Sequence, residues 1–428
     1  MIAHPLLAAS ISTESAGTRD ADPRIGLHVW QECGVGLGVV AVDNDDDLAR
    51  RDVIEHRRER PDDERRTLAG GNDDADVGHG RLALHELSVA ERPRPCAILH
   101  AMRRLAQRSA ARALRTLTRR SQGNVAVVLL YHGVDPVGGD PACDLVPALA
   151  QDVFRDQLEH LARHYDVIAA AELPSRLSQP LARRRVPVVL TFDDDLSGHL
   201  RFAAAALSEC GMPATFYLTG RTLDGPDPFW WQDLQAIADS GAGALRDARA
   251  RLAQQWSWAA EPGGLHNLAT VIEELPPTER DDVARELRDL ARDRPRDPGL
   301  SSRDVSQLVA AGFEIGFHTR RHDPLVLLSD RRLAQAMLDG RDTLHAACGH
   351  PLTSIAYPHG RADLRVARAA DDAGYNTGFA WTGDALHAGD PPLLLDRVSA
   401  WAPAIEAFAG RLARATALAA GRTLQRSR

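Results

Sequence analysis

From Asn124 onward, short runs of apolar and β-branched residues alternate with stretches whose apolar residues recur every three or four positions. No other feature restricts the fold as strongly. The strand candidates are "NVAVVLLYHGV", "VPVVLTFDDD", "PATFYLTG", "FEIGFH", "SIAYPHG", "NTGFAWT" and "LLLDRVSA", with helices such as "LAQDVFRDQLEHLARHYDVIAAAEL" and "RADLRVARAADDAG" between them. Alternation at this spacing implies parallel βαβ units and an α/β fold, either a barrel or an open doubly wound sheet. Asp193, His318, Pro358 and Thr382 fall at or just past the carboxyl ends of their strands. A barrel that gathers its chemistry at one mouth needs polar residues there.

The run Val186 to Phe192 reads as a buried strand and delivers Asp193, Asp194 and Asp195 to its carboxyl end. Adjacent carboxylates repel, and a buried one stays ionised only when a cation, a metal or several donors compensate it. A solvated turn would also account for the triplet taken alone. "FEIGFHTRRHDPL" adds His318 and His322 four residues apart, so that on a helical turn both imidazoles face one way. An Asp plus two His with open coordination positions is the composition of a hydrolytic metal site.

Around this core the chain divides by texture. Residues 1–101 lack apolar periodicity and carry Asp/Arg/Gly blocks, so they are expected to be a low-order extension, or untranslated if synthesis starts at Met102. Residues 102–123 form an Arg-rich amphipathic helix, 124–403 the barrel, and 404–428 a second amphipathic helix. Between 221 and 300 the rhythm is broken by an insertion. Its Trp230 and Trp231 offer faces either for sugar stacking or for packing the insertion onto the barrel.

Composition narrows the function classes. A net charge of −8 argues against a nucleic-acid binder, and all 51 residues counted as Lys+Arg are arginine. The five cysteines, Cys33, Cys96, Cys143, Cys210 and Cys348, are far apart, which indicates neither a disulfide framework nor a thiolate zinc site. No run is long and apolar enough to read as a membrane span, and no basic segment followed by an apolar one reads as a signal peptide. The expectation is a cytoplasmic protein, with its two Arg-rich helices able to touch an anionic membrane surface. Oligomeric state is not legible.

With these residues in view, the chain resembles the polysaccharide deacetylase family, the NodB-homology carbohydrate esterases, over roughly 125–401. "TFDDD" resembles the motif T-F-D-D-G, "HTRRH" the motif H-S/T-x-x-H, and "YPHG" the P-Y-G core of a third. The resemblance implies a deformed β/α barrel and removal of N-acetyl, or another N-acyl group, from amino sugars of a glycan or glycolipid. It implies Asp193 as catalytic base and a divalent metal, Zn²⁺ by its donors, on Asp194, His318 and His322. Thr319 would support these ligands, and His359 would stand at the oxyanion site. Tyr357, Trp381 and His132 are the substrate-contact candidates.

Three positions depart from the family pattern. Asp195 replaces a glycine, Ala356 stands where many members carry an arginine that orients the base, and "LLLDRVS" offers Asp396 and Arg397 where a general-acid histidine is usual. Arg397 could orient Asp193 or bind substrate. His359, His387 and Asp384 are the remaining proton-donor candidates. Two alternatives stay open: a non-catalytic glycan-binding barrel, favoured by the missing acid and arginine, and a deformylase or cyclic-amide hydrolase on the same fold.

Overall fold

The computed structural model describes residues 95–120, 124–179, 181 and 184–426, so most of the expected extension lies outside the described residues. The chain divides into two compact units, 36–101 and the remainder; of the first, only the opening of helix α1 (Pro95–Arg120) is described. That helix starts upstream of Met102, which lies inside it.

Six strands lie parallel, side by side and in chain order: β1 (Val125–Tyr131), β2 (Pro187–Asp193), β3 (Thr215–Leu218), β4 (Glu314–Phe317), β5 (Ser354–Ala356) and β6 (Thr377–Phe379). A short seventh strand, β7 (Val398–Ser399), runs parallel to β1 on its free side, and Leu395 just before it bridges Phe379 of β6. Residues 395–399 therefore join the last strand to the first. The sheet curls into an irregular α/β barrel, and the open doubly wound alternative is set aside.

Side-chain alternation along the strands decides which residues can meet. Val125, Val127 and Leu129 of β1 and Val188, Leu190 and Phe192 of β2 face outward, under helices such as α2 (Gln151–His164) with its buried Phe154, Leu158 and Leu161. Ala126, Val128, Val189, Tyr217, Ala356 and Phe379 form a separate cluster that fills the barrel. By the same parity Thr191 and Asp193 point inward. Gly316 is needed beside Tyr217, because a Cβ there would sit 2.2 Å from its ring.

The insertion has its own core. Helices α3 (Trp230–Asp239), α4 (Leu265–Glu274) and α5 (Pro277–Leu290) bury Trp230, Trp231, Leu234, Ile237, Leu268, Ile272, Val283 and Leu287 against one another, with Leu145 from the loop after β1. A last helix, α6 (Ile405–Arg426), packs on β1 and α2. Among the described residues no helix is long and apolar enough to cross a membrane.

Candidate active site

The three aspartates separate into three tasks. Asp193, the last residue of β2, receives both arms of the Arg397 guanidinium: Nη1 donates to Oδ1 and Nη2 to Oδ2, each at 2.7 Å. Asp195 turns away and accepts from the backbone N–H groups of Thr219 (2.8 Å) and Arg221 (2.9 Å) and from the Thr219 hydroxyl (2.6 Å). It ties down the loop that follows β3. Asp194 sits between them with a left-handed backbone (φ 73°), and its buried Oδ1 has no hydrogen-bond partner.

That orphaned oxygen faces two imidazoles. Asp194 Oδ1 is 3.7 Å from His318 Nε2 and 3.5 Å from His322 Nε2, and the two Nε2 atoms are 3.1 Å apart. Donors bound at zinc-like distances in a tetrahedron stand about 3.3 Å from one another, so this triangle has the right edge lengths for one divalent ion. His318 Nδ1 donates to the Ala356 carbonyl at 2.8 Å, which leaves the Nε2 lone pair directed at the triangle. Asp194, His318 and His322 are the one group with metal-ligand geometry among the described residues.

The electrostatics agree with the geometry. Burial, followed by the charges of Asp193 and Asp195, pushes the Asp194 carboxyl well above the ordinary carboxylate range, and the smaller opposing effect of Arg397 does not offset them. Burial also depresses His318 and, more strongly, His322, where the neighbouring His359 and His318 add to the effect. Both imidazoles are thereby kept neutral, the form that donates to a metal. At Asp193 burial alone would raise the pKa, but the Arg397 charge and hydrogen bonds overcome it and hold the carboxyl below its usual range. Two carboxylates in sequence thus have opposite environments.

Four non-glycine residues among those described have positive φ: Asp194, Thr319, His322 and His359. All four are in the site. Such backbone costs of order 1 to 3 kcal/mol per residue and persists only where its surroundings enforce it. Here the enforcement is partly visible. His199, which the sequence reading passed over, is fully buried, and its Nε2 lies 2.9 and 3.0 Å from the Asp193 and Asp194 carbonyl oxygens. The insertion braces the other side: Trp231 packs 4.7 Å from the His322 ring, Arg280 pairs with the adjacent Asp323 in a buried ion pair, and Arg321 donates to Asp281 at 2.8 Å.

One cavity joins these groups. It is lined by Asp193, Asp194, His318, His322, His359 and Arg397, with His132, Trp381, Trp401, Trp230, Trp231 and Leu145 around them. Burial pushes His132 down to about 4, so it is a neutral wall group. Trp230 and Trp231 both pack the insertion and face the cavity. His359 Nδ1 lies 3.2 Å from Oε1 of Glu273, a buried carboxylate on α4 that no sequence motif marked. A lone Glu on a helix within an insertion carries no signal of its own.

Several sequence expectations are corrected. Tyr357 cannot contact substrate, because its ring is fully buried and its hydroxyl donates to the Leu393 carbonyl at 2.7 Å. His387 pairs in the sheet with Val125, at the end of β1 opposite the site, which removes it as a proton donor. Asp396 accepts from the backbone N–H groups of Asp384 (3.0 Å) and Arg397 (2.8 Å), and Thr382 binds it too. These residues fasten a loop instead of joining the mouth, and neither Asp384 nor Thr382 lines the cavity. Thr319 is buried with an unpartnered hydroxyl, so it makes no supporting bond in this state.

The family profile for polysaccharide deacetylase matches residues 291–378. Among solved structures, the chain is similar to the Streptococcus pyogenes deacetylase PplD in complex with acetate, at 16% identity and TM-score 0.45 over 68% of this chain and 98% of that one. It is also similar to IcaB from Ammonifex degensii (18%, TM-score 0.43, 68% and 98%) and to a polysaccharide deacetylase from Bacillus cereus (17%, TM-score 0.44, 68% and 69%). No curated protein matches. The matched segment carries His318 and His322, which meet the aspartates of "TFDDD" at the end of β2, and over that segment the chain is similar to the polysaccharide deacetylase family.

Proposed function

We propose that the protein is a metal-dependent hydrolase that removes an N-acetyl group from an amino sugar of a glycan or glycolipid. The observation that carries this is the pairing of an ionised, bidentately held Asp193 with an adjacent Asp194 whose orphaned oxygen completes a triangle with two neutral imidazoles. Asp194, His318 and His322 would hold a divalent ion, Zn²⁺ by its donor set, which when bound would supply an acidified water and Lewis acidity toward the amide carbonyl. Asp193 takes the proton of the attacking water, because its depressed pKa keeps it ionised and Arg397 fixes both oxygens in direction. Arg397 acts through Asp193 and is a positioning residue.

The remaining proton must reach the departing amine. Of the donors considered, His359 is the one that lines the cavity, and Glu273 accepts from its Nδ1 and orients the ring. We assign His359 this role as a relay: burial lowers its pKa, so the neutral ring must first receive the proton that Asp193 takes from the water before passing it to the amine, with its backbone N–H at the oxyanion side. The cavity of about 90 Å³ suits a group of acetamide size, since a 150 Å³ cavity holds benzene. A binding-only barrel was favoured by the absent general-acid histidine and the absent orienting arginine; the Arg397–Asp193 pair speaks against the second ground.

The test is acetate release from N-acetylated chito-oligosaccharides by zinc-loaded protein, beside its chelated form. Metal-dependent release is expected. Tight oligosaccharide binding with no release at any metal loading would overturn the reading.

A further inference from the structure

The two Arg-rich helices at the ends of the described chain come together on the outside of the barrel. Arg108 of α1 donates through Nε to Glu406 of α6 at 3.1 Å, and α6 also packs on α2. Between the three helices runs a groove lined by Arg108, Arg112 and Arg115 of α1, His160, Arg163 and His164 of α2, and Ile405 and Glu406 of α6. None of these residues lines the catalytic cavity.

Charge in this groove is unbalanced. Glu406 answers Arg108, and Glu159 answers Arg163 at 2.6 Å, but Arg112 and Arg115 have no carboxylate partner among the described residues. Like charges converging on one groove repel unless an anion joins them. A second observation points the same way: His160 Nε2 is buried at the groove and has no hydrogen-bond partner. Planar guanidinium groups match the oxygens of a phosphate, to which Arg can donate two parallel bonds. Leu105, two-thirds exposed, lies on the same face of α1, since positions 105, 108 and 112 follow the three-to-four spacing of a helix.

We propose that this groove binds a phosphate-bearing group, with Arg112 and Arg115 as its principal donors. An anionic phospholipid headgroup and a free phosphate share that chemistry. A headgroup additionally uses Leu105, whose apolar side chain would meet the acyl boundary beneath it. The site holds the protein to its phosphate and takes no part in hydrolysis.

The experiment uses the full chain with two arms. In the first, cosedimentation with phosphatidylcholine vesicles is compared with vesicles containing 30% phosphatidylglycerol; in the second, inorganic phosphate is titrated by calorimetry. Arg112→Ala with Arg115→Ala should weaken binding roughly 25-fold, about 5-fold for each cation. Arg331→Ala with Arg332→Ala removes the same charge from an exposed helix elsewhere and should leave binding unchanged. Selective binding to anionic vesicles identifies the headgroup as the source, whereas phosphate binding without vesicle binding supports the site with a soluble source. Binding in neither arm overturns the proposal. So does equal weakening by the two double variants, which would reduce the effect to net charge. Circular dichroism and metal content of each variant separate loss of the site from loss of the fold.

Discussion

Arg397 and Asp193 stand 204 residues apart in the chain and meet inside the barrel through two parallel hydrogen bonds of 2.7 Å. Arg397 is fully buried and Asp193 nearly so, and a buried ion pair repays its desolvation only when the geometry is as complete as this. Where the family pattern has an arginine at the position of Ala356, here Arg397, just before the strand that closes the barrel, reaches Asp193.

Replacing Arg397 by Met should therefore destabilise the fold by about 3 to 5 kcal/mol, because a carboxylate is left buried without its cation. Asp193 has a folded pKa below its unfolded one, so the pair's contribution is present above the unfolded value and is lost as pH falls through the folded one. In the variant the acid limb of the activity profile should move to higher pH. Denaturant melts and pH–rate profiles of Arg397→Met and Arg397→Lys measure both effects. An unmoved acid limb would remove Arg397 from its positioning role.

Asp193→Asn should lower turnover by roughly 10²- to 10⁴-fold, the range of general-base contributions, while zinc content stays near that of the wild type. The amide cannot accept a proton, yet it is no part of the ligand triangle. Retained turnover would reassign the base.

His318→Ala and His322→Ala should each lose most of the bound metal, measured by elemental analysis after dialysis. Zinc added to wild-type protein should raise the melting temperature, since a ligand at a hundred times its Kd stabilises the folded state by about 2.7 kcal/mol. Neither single variant should show that rise.

The insertion should matter to metal affinity although it supplies no ligand. Arg280 pairs with Asp323, the residue after His322, and both side chains are buried. Arg280→Met should weaken zinc binding by about 10- to 100-fold, as loss of outer-shell support does at other metal centres. Competition with a chromophoric chelator reads this directly, and an unchanged Kd would make the insertion a cover and not a brace.

The sequence by itself determined the alternation of strands and helices, and the local motifs: "TFDDD" at the end of a buried strand and two histidines four apart. These are short-range patterns, since apolar periodicity and turn residues express interactions within one element. Tertiary structure decided what each motif residue does. Asp193, Asp194 and Asp195 are indistinguishable as letters; the inward parity of β2, the left-handed backbone of Asp194 and the donor loop after β3 assign them to pairing with Arg397, to the metal triangle and to structure. Arg397, Glu273 and Arg280 reach the site, or its supports, from segments far away in the chain, and no spacing rule spans such distances; His199 is five residues past Asp194, yet only its burial against the two carbonyls reveals its part. Tyr357 and His387 show the converse, because a motif neighbour or a histidine on a strand contributes only if sheet register turns it toward the mouth. Burial and register are properties of the closed barrel, and closure depends on residues 395–399 bridging Phe379 of β6 at one end and pairing with β1 at the other.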